Sequence, residues 1–223
     1  MKLKKITLCI TNYQKEKFLD RAIRSCESQI SNGLEINTIV VNDGSKKFNR
    51  KNLLKEFPEI KIIDYQKNKG VSYASNKALN NLESDYYMRV DADDYIGMKT
   101  CIVLSSILNE NDKIPYIYGD ILHINKQYNI KKISRKERNL LLEHGAGIMF
   151  RTKFLKKVGG YDEKIKNCED FDLILRLEKK YGKGFYVPLP YYKYYKQSSK
   201  HLSNSKNRAF YFNKLKKKYS DYI

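Results

Sequence analysis

From Ile6 to Leu82 the chain alternates short apolar runs with stretches of helical periodicity, and a further apolar run follows at Tyr86 to Val90. Ile6 to Ile10, Ile36 to Val41, the group Ile60, Ile62 and Ile63, and Tyr86 to Val90 have the β-branched and aromatic character of buried strands. Between them, Phe18, Leu19, Ala22, Ile23 and Cys26 recur on one helical face. Leu53, Leu54 and Phe57 suggest a short helix stopped by Pro58, and Val71, Ala74, Ala78, Leu79 and Leu82 mark a third helix. This alternation predicts an α/β fold, a single domain whose mainly parallel, mixed central sheet carries helices on both faces. Right-handed crossovers then bring the loops after Ile10, Val41 and Val90 to one rim, setting Thr11, Asp43 and the pair Asp91 and Asp93 around a common crevice.

The fourth run is the most unusual. It ends in Asp91, Asp93 and Asp94, three acids within four positions, in a chain of formal net charge +19. Like charges that close need a cation or full solvation. At the carboxyl end of a strand, where α/β sheets gather ligands, they suit a hard divalent ion that keeps several waters and bridges to phosphate. A solvated acidic turn is the alternative reading of the same residues.

After residue 115 the pattern changes. Pro115 to Ile124 is strand-like and Ile130 to Ile133 reads as its hairpin partner. Gly145 to Phe150 is a short strand leaving a glycine-containing loop, and Asp170 to Tyr181 is a helix with Phe171, Ile174, Leu175 and Leu177 inward. A last strand, Phe185 to Val187, is ended by Pro188 and Pro190. The expected organisation is one domain over residues 1–205, with a nucleotide-binding half of about 1–114 and an acceptor half over 115–205. A basic amphipathic tail, 206–223, follows. From Lys193 to Ile223 nine Lys/Arg stand against one Asp, and Phe212, Leu215, Tyr219 and Tyr222 share a helical face. Such a segment is expected to meet an anionic membrane surface, with nucleic acid as the competing partner and a plain solvated lysine face as a third reading. Tyr191, Tyr192, Tyr194 and Tyr195 are expected to pack under that tail.

Composition narrows the class further. No apolar run reaches the ~18–20 residues that span a bilayer, and Met1 to Lys5 leads straight into a strand. The expectation is a cytoplasmic protein, peripheral on the inner membrane face through its tail. Four dispersed cysteines and three histidines argue for reduced thiols and against a zinc site.

Taken in order, Ile10-Thr11-Asn12-Tyr13 with Glu16 to Leu19, Val40 to Ser45, Asn68 to Ser72 with Ala74 and Asn76, Asp91 to Asp94, Phe150-Arg151 with Lys157 to Asp162, and Glu169 to Leu173 resemble the family 2 glycosyltransferases. The resemblance covers roughly residues 5 to 200. It implies a GT-A fold and an inverting, metal-dependent hexosyl transfer from a nucleotide-sugar, UDP being the commonest nucleotide, to a saccharide or lipid-linked saccharide acceptor in polysaccharide biosynthesis. It assigns the nucleobase and ribose to Thr11, Tyr13 and Asp43, sets Asp91 near the ribose, and gives Mn²⁺ or Mg²⁺ to Asp93 with Asp91. Asp170 corresponds to the catalytic base, with Glu169 beside it, and Gly147 and Ile148 lie on the acceptor side. His201 falls close to a family histidine that contacts metal or diphosphate. Asn12, Gln14 and Ser75 depart from the family pattern.

Bland readings remain for two of these. Asp43 before Gly44 is also a turn pair, and Asp170 is also an acid at a helix N-terminus. Two rival functions stay open as well. A nucleotidyltransferase would carry a glycine- and arginine-rich loop after the first strand, which this chain lacks before Arg21. A basic nucleic-acid-binding module leaves the acidic cluster unexplained, so no nucleic acid is expected.

Overall fold

The computed structural model describes residues 3–80, 82–137, 145–195 and 206–220. Its first half follows the alternation in the sequence: β1 (Lys4–Asn12), α1 (Glu16–Glu27), β2 (Leu34–Asp43), α2 (Arg50–Glu56), β3 (Lys61–Tyr65), α3 (Val71–Asn80) and β4 (Tyr86–Asp91). Next come β5 (Tyr95–Ile96), α4 (Thr100–Glu110), β6 (Tyr116–Ile124), β7 (Ile130–Ile133), β8 (Met149–Arg151), α5 (Thr152–Lys157), α6 (Glu169–Tyr181), β9 (Phe185–Tyr195) and α7 (Lys206–Lys218).

The described strands form one mixed sheet in the order β3-β2-β1-β4-β8-β6-β9-β5, with β7 on β6. β3, β2, β1 and β4 run parallel. The direction changes at β8, which lies antiparallel to both β4 and β6. Because the sheet is covered on both sides, its strands are apolar on both faces. Ile6, Leu8 and Ile10 of β1 and Tyr86, Met88 and Val90 of β4 meet α1 and α4 through Leu19, Ile23, Leu104 and Leu108. Cys9 and Tyr87 point the other way, toward Ala74 and Ala78 of α3 and Leu173, Ile174 and Leu177 of α6.

Two expectations for the C-terminal part are corrected. The last strand does not stop at Pro188 but continues to Tyr195. Its pairing with β6 shifts register between Gly119 and Ile121, so both prolines fall in the irregular stretch between Val187 and Tyr192, where no ladder hydrogen bond is needed. Of the apolar face of the tail, assigned above to a membrane surface, Phe212, Leu215 and Tyr219 are covered by protein, while Tyr222 lies outside the described residues. Leu215 and Tyr219 are buried in the same core as α6, and the Phe212 ring lies 5.1 Å from that of Phe171. Among the described residues no helix is long and apolar enough to cross a membrane.

Candidate functional site

Parallel pairing of β1 with β2 and β4 sets Thr11 opposite both Val41 and Asp91, and Asn12 opposite Asn42. The strand ends therefore share one rim, as the crossover argument requires. Buried Asn12 stitches that rim together, its Nδ2 donating to Asn42 Oδ1 at 3.0 Å, Glu16 Oε1 at 3.1 Å and Ser45 Oγ at 3.3 Å. Tyr13 stands exposed beside it, its hydroxyl accepting a hydrogen bond from Gln14. Asp43 lies at the rim but is buried and committed. Its carboxylate accepts from the Lys69 and Gly70 amides at 2.7 and 2.8 Å and from Asn68 Nδ2 at 2.8 Å. It organises the 68–70 loop beside the rim.

The three clustered acids separate in space. Asp94 turns inward, 1% exposed, accepting from the Tyr192 hydroxyl at 2.7 Å and the Tyr195 amide at 2.8 Å. Burial, with the charges of Asp91 and Asp93 added, raises its pKa well above the usual carboxylate range. The same Tyr192 hydroxyl accepts from the Asp91 amide at 3.2 Å, so β9 fixes the turn that presents the other two acids. Tyr191, Tyr192 and Tyr195 thus support the rim rather than the tail, and Tyr191 donates to the Gly147 carbonyl at 2.7 Å. The reason is the length of β9: continued past its prolines, it delivers these tyrosines to β4. Asp93 meets Lys15 Nζ at 2.7 Å, and its carbonyl accepts from Arg21 at 2.6 Å.

A residue without a role in the sequence reading ties the acids together. Arg89, 5% exposed on β4, lies 3.3 Å from Asp91, 3.4 Å from Glu169 and 2.9 Å from Asp170. Its position did carry a signal, since a lone arginine in an apolar strand two residues before Asp91 must share that acid's face. Arg89 holds Asp170 through Oδ2, while Oδ1 is buried and has no hydrogen-bond partner among the described residues. Glu169 has its pKa raised to about 7, chiefly by burial and next by the charge of Asp170, with Arg89 opposing. Gly145 presses against Asp170 so closely that a Cβ there would overlap the aspartate side chain. Gly147, in the left-handed region at φ +71°, donates its amide to the Arg89 carbonyl at 3.2 Å, and Ile148 behind it is fully buried. The Gly145–Ile148 loop therefore lines the same corner as Asp170. His201 lies outside the described residues.

Among the described residues no group of three or more His, Cys, Asp or Glu side chains is placed to hold a metal ion. Asp91 and Asp93 are nonetheless a suitable pair for a cation that keeps waters and takes phosphate oxygens as its other ligands. Asp91 has its pKa raised by burial and then by Asp93 and Asp170 in spite of Arg89, so negative charge is in excess at this rim.

Comparison with known proteins accords with this site. Residues 7–159 match the family described as Glycosyl transferase family 2, and residues 116–223 match Glycosyltransferase like family 2. A teichoic acid poly(glycerol phosphate) polymerase of Staphylococcus epidermidis is 32% identical over 99 residues, covering 43% of this chain and 14% of the relative. A chondroitin synthase of Escherichia coli is 23% identical over 184 residues, covering 78% and 26%. The chain thus spans well under a third of the length of these two relatives. Among solved structures, S. aureus TarS superimposes with a TM-score of 0.73 at 19% identity, covering 86% of this chain and 37% of that one. A shorter TarS chain crystallised with UDP-GlcNAc gives 0.73 at 20% identity, covering 90% and 61%. The acid-tipped fourth strand, the arginine-held aspartate at the start of α6 and the matched sequence lead to one conclusion: the chain belongs to glycosyl transferase family 2 and has its GT-A fold.

Proposed function

We propose that the chain transfers a sugar from a UDP-sugar to a hydroxyl of a saccharide or lipid-linked saccharide, inverting the anomeric centre, with Asp170 as general base. The observation that carries this reading is the Asp170 carboxylate, with one oxygen fixed by Arg89 and the other buried without a hydrogen-bond partner among the described residues. An acceptor hydroxyl is a poor nucleophile near neutral pH, and a carboxylate within hydrogen-bond reach takes its proton during attack. Gly145 packs directly against Asp170, and Gly147 and Ile148 continue the loop that forms the acceptor side of this corner. A single displacement needs no protein nucleophile, and Arg89 keeps the base aimed.

On the donor side, Thr11 and Tyr13 line the nucleoside end of the crevice and Asp43 maintains the loop that walls it. Asp91 faces the ribose. Mn²⁺ or Mg²⁺, held by Asp93 with Asp91, would supply Lewis-acid neutralisation of the departing diphosphate. UDP as the nucleotide is supported by the TarS complexes with UDP and UDP-GlcNAc. A polymeric or lipid-linked glycan acceptor is supported by the teichoic acid and chondroitin enzymes among the relatives. With Leu215 and Tyr219 docked, a membrane-bound acceptor would be approached through the exposed Lys214, Lys216 and Lys217 on the cytoplasmic side.

The test is a screen of UDP-sugars against the purified protein, with and without Mn²⁺, following melting temperature, UDP release and product anomer by NMR. Stabilisation by UDP with metal and a product of inverted configuration are expected. A product of retained configuration would sink the single displacement, and full turnover in EDTA would remove the metal.

A further inference from the structure

We infer that Lys15 is a placeholder cation, sitting on Asp93 when the crevice lacks donor and moving to the diphosphate when the metal takes that carboxylate. This rests on the rim being the donor site proposed above. The ammonium lies 2.7 Å from Asp93 Oδ2, against the acid best suited to hold the metal. Partners 78 positions apart in the chain need a backbone that aims one at the other.

Gln14 provides that aim. It adopts a left-handed conformation, φ 56°, rare for a residue with a side chain, and its amide is pinned to Ser45 Oγ at 2.7 Å. Lys15 follows at the N-cap of α1, where an ammonium has no acceptor to offer the helix amides, and its side chain reaches Asp93 instead. A lysine at a helix N-terminus is electrostatically misplaced, which weighs against a purely helix-stabilising role.

The two partners are held differently. The Asp93 carbonyl is held by Arg21, and the neighbouring Asp94 is locked by Tyr192 and Tyr195. Lys15, with a side chain about one-third exposed, has a flexible four-carbon stem on which its charge can swing away. One ammonium in contact with Asp93 occupies a carboxylate oxygen that a cation shared by both acids would need, while Asp91 keeps its own contact with Arg89 at 3.3 Å. Lys15 must therefore yield for both acids to be neutralised together, and diphosphate oxygens are the natural new partner for its charge. Metal and nucleotide then bind cooperatively through this one side chain.

An ordinary surface ion pair would do none of this, and Mn²⁺ binding separates the two cases. Free Mn²⁺ is followed by electron paramagnetic resonance, in titrations of wild type, Lys15→Gln and Lys15→Arg, each with and without UDP. Wild type is expected to bind Mn²⁺ weakly alone and roughly tenfold or more tightly with UDP, within the usual span of site–site coupling. Lys15→Gln should bind Mn²⁺ about tenfold more tightly without UDP, lose most of the coupling and bind UDP more weakly. Lys15→Arg should resemble wild type, and all three should melt alike. Unchanged nucleotide-free Mn²⁺ affinity in Lys15→Gln, with UDP coupling intact, overturns the placeholder alone. Absence of Mn²⁺ and UDP binding in every protein overturns both it and the donor-site reading.

Discussion

Asp170 and Asp172 lie two residues apart in the first turn of α6, yet they serve two different regions. Residues i and i+2 of a helix point to nearly opposite sides, so one acid faces the crevice and the other the seam with α7. Asp172 is fully buried and fully occupied, accepting from Arg176 Nε at 2.6 Å, Tyr219 Oη at 2.8 Å and Lys218 Nζ at 2.9 Å. Burial alone would raise its pKa, but Arg176 and the hydrogen bonds from Lys218 and Tyr219 outweigh it and the pKa falls. Asp170 has a single strong partner and a bare oxygen. In the acid-tipped strand Asp94 is likewise tied down through both oxygens by β9, while Asp93 meets Lys15 at the rim. A buried carboxylate with both oxygens hydrogen-bonded holds architecture together. One left partly unsatisfied at a rim is kept for chemistry.

The contrast breaks most visibly in activity. Asp170→Asn should lower kcat by about 10²- to 10⁴-fold, the usual worth of general-base help, and shift the melting temperature little. Asp172→Asn should do the reverse. Loss of a charged, hydrogen-bonded partner to Arg176, Lys218 and Tyr219 is expected to cost about 2–3 kcal/mol, or roughly 5–10 °C in a chain of this size, with kcat per folded molecule nearly kept. Equal losses of stability and turnover in both variants would erase the distinction.

A finer probe uses pH and the α7 seam. Asp172 has a folded pKa below its unfolded value near 4, so its stabilisation is present above that value and is lost as pH falls through the lower folded pKa. The melting temperatures of wild type and Asp172→Asn should therefore converge in strong acid. Tyr219→Phe, which removes one of the three partners, should lower the melting temperature by roughly 2–4 °C at neutral pH. No change there would detach α7 from the stability of α6.

Much of the first half was legible because β1, β2 and β4 are largely apolar on both faces and end in Asn12, Asp43 and Asp91. The pattern therefore located both the strands and the rim. What the three acids would do was not legible. Asp91, Asp93 and Asp94 look alike in sequence, and the groups that turn Asp94 inward, Tyr192 and Tyr195, come about a hundred residues later. Arg89 was readable from its spacing to Asp91 and was missed. The α7 face was recognised as apolar, but a helical stripe does not say what covers it, and here Asp172 and the aromatic ring of Phe171 decide. β5 and α4 were not anticipated. Two residues are too few for a strand pattern, and in α4 apolar Ile102, Val103 and Ile107 flank buried Cys101, Leu104 and Leu108, blurring the stripe.

Glu169 gives the smallest and most selective test, because it shares Arg89 with Asp170 without being the proposed base. An acid whose folded pKa is raised to about 7 stabilises the native state while protonated. That contribution is fully present below the unfolded value near 4.3 and fades as pH rises through 7. Glu169→Gln removes the slope, so its melting temperature should match wild type near pH 4 and exceed it by a few degrees, roughly 2–4 °C, at pH 8. Catalysis should change in the same window. Glu169 ionises beside the Arg89 that also holds Asp170, so wild-type kcat should change through pH 7 and the variant's should change less. A variant with an unaltered pH–rate limb but a flattened stability curve would confine Glu169 to the architecture, on the same side of the contrast as Asp172.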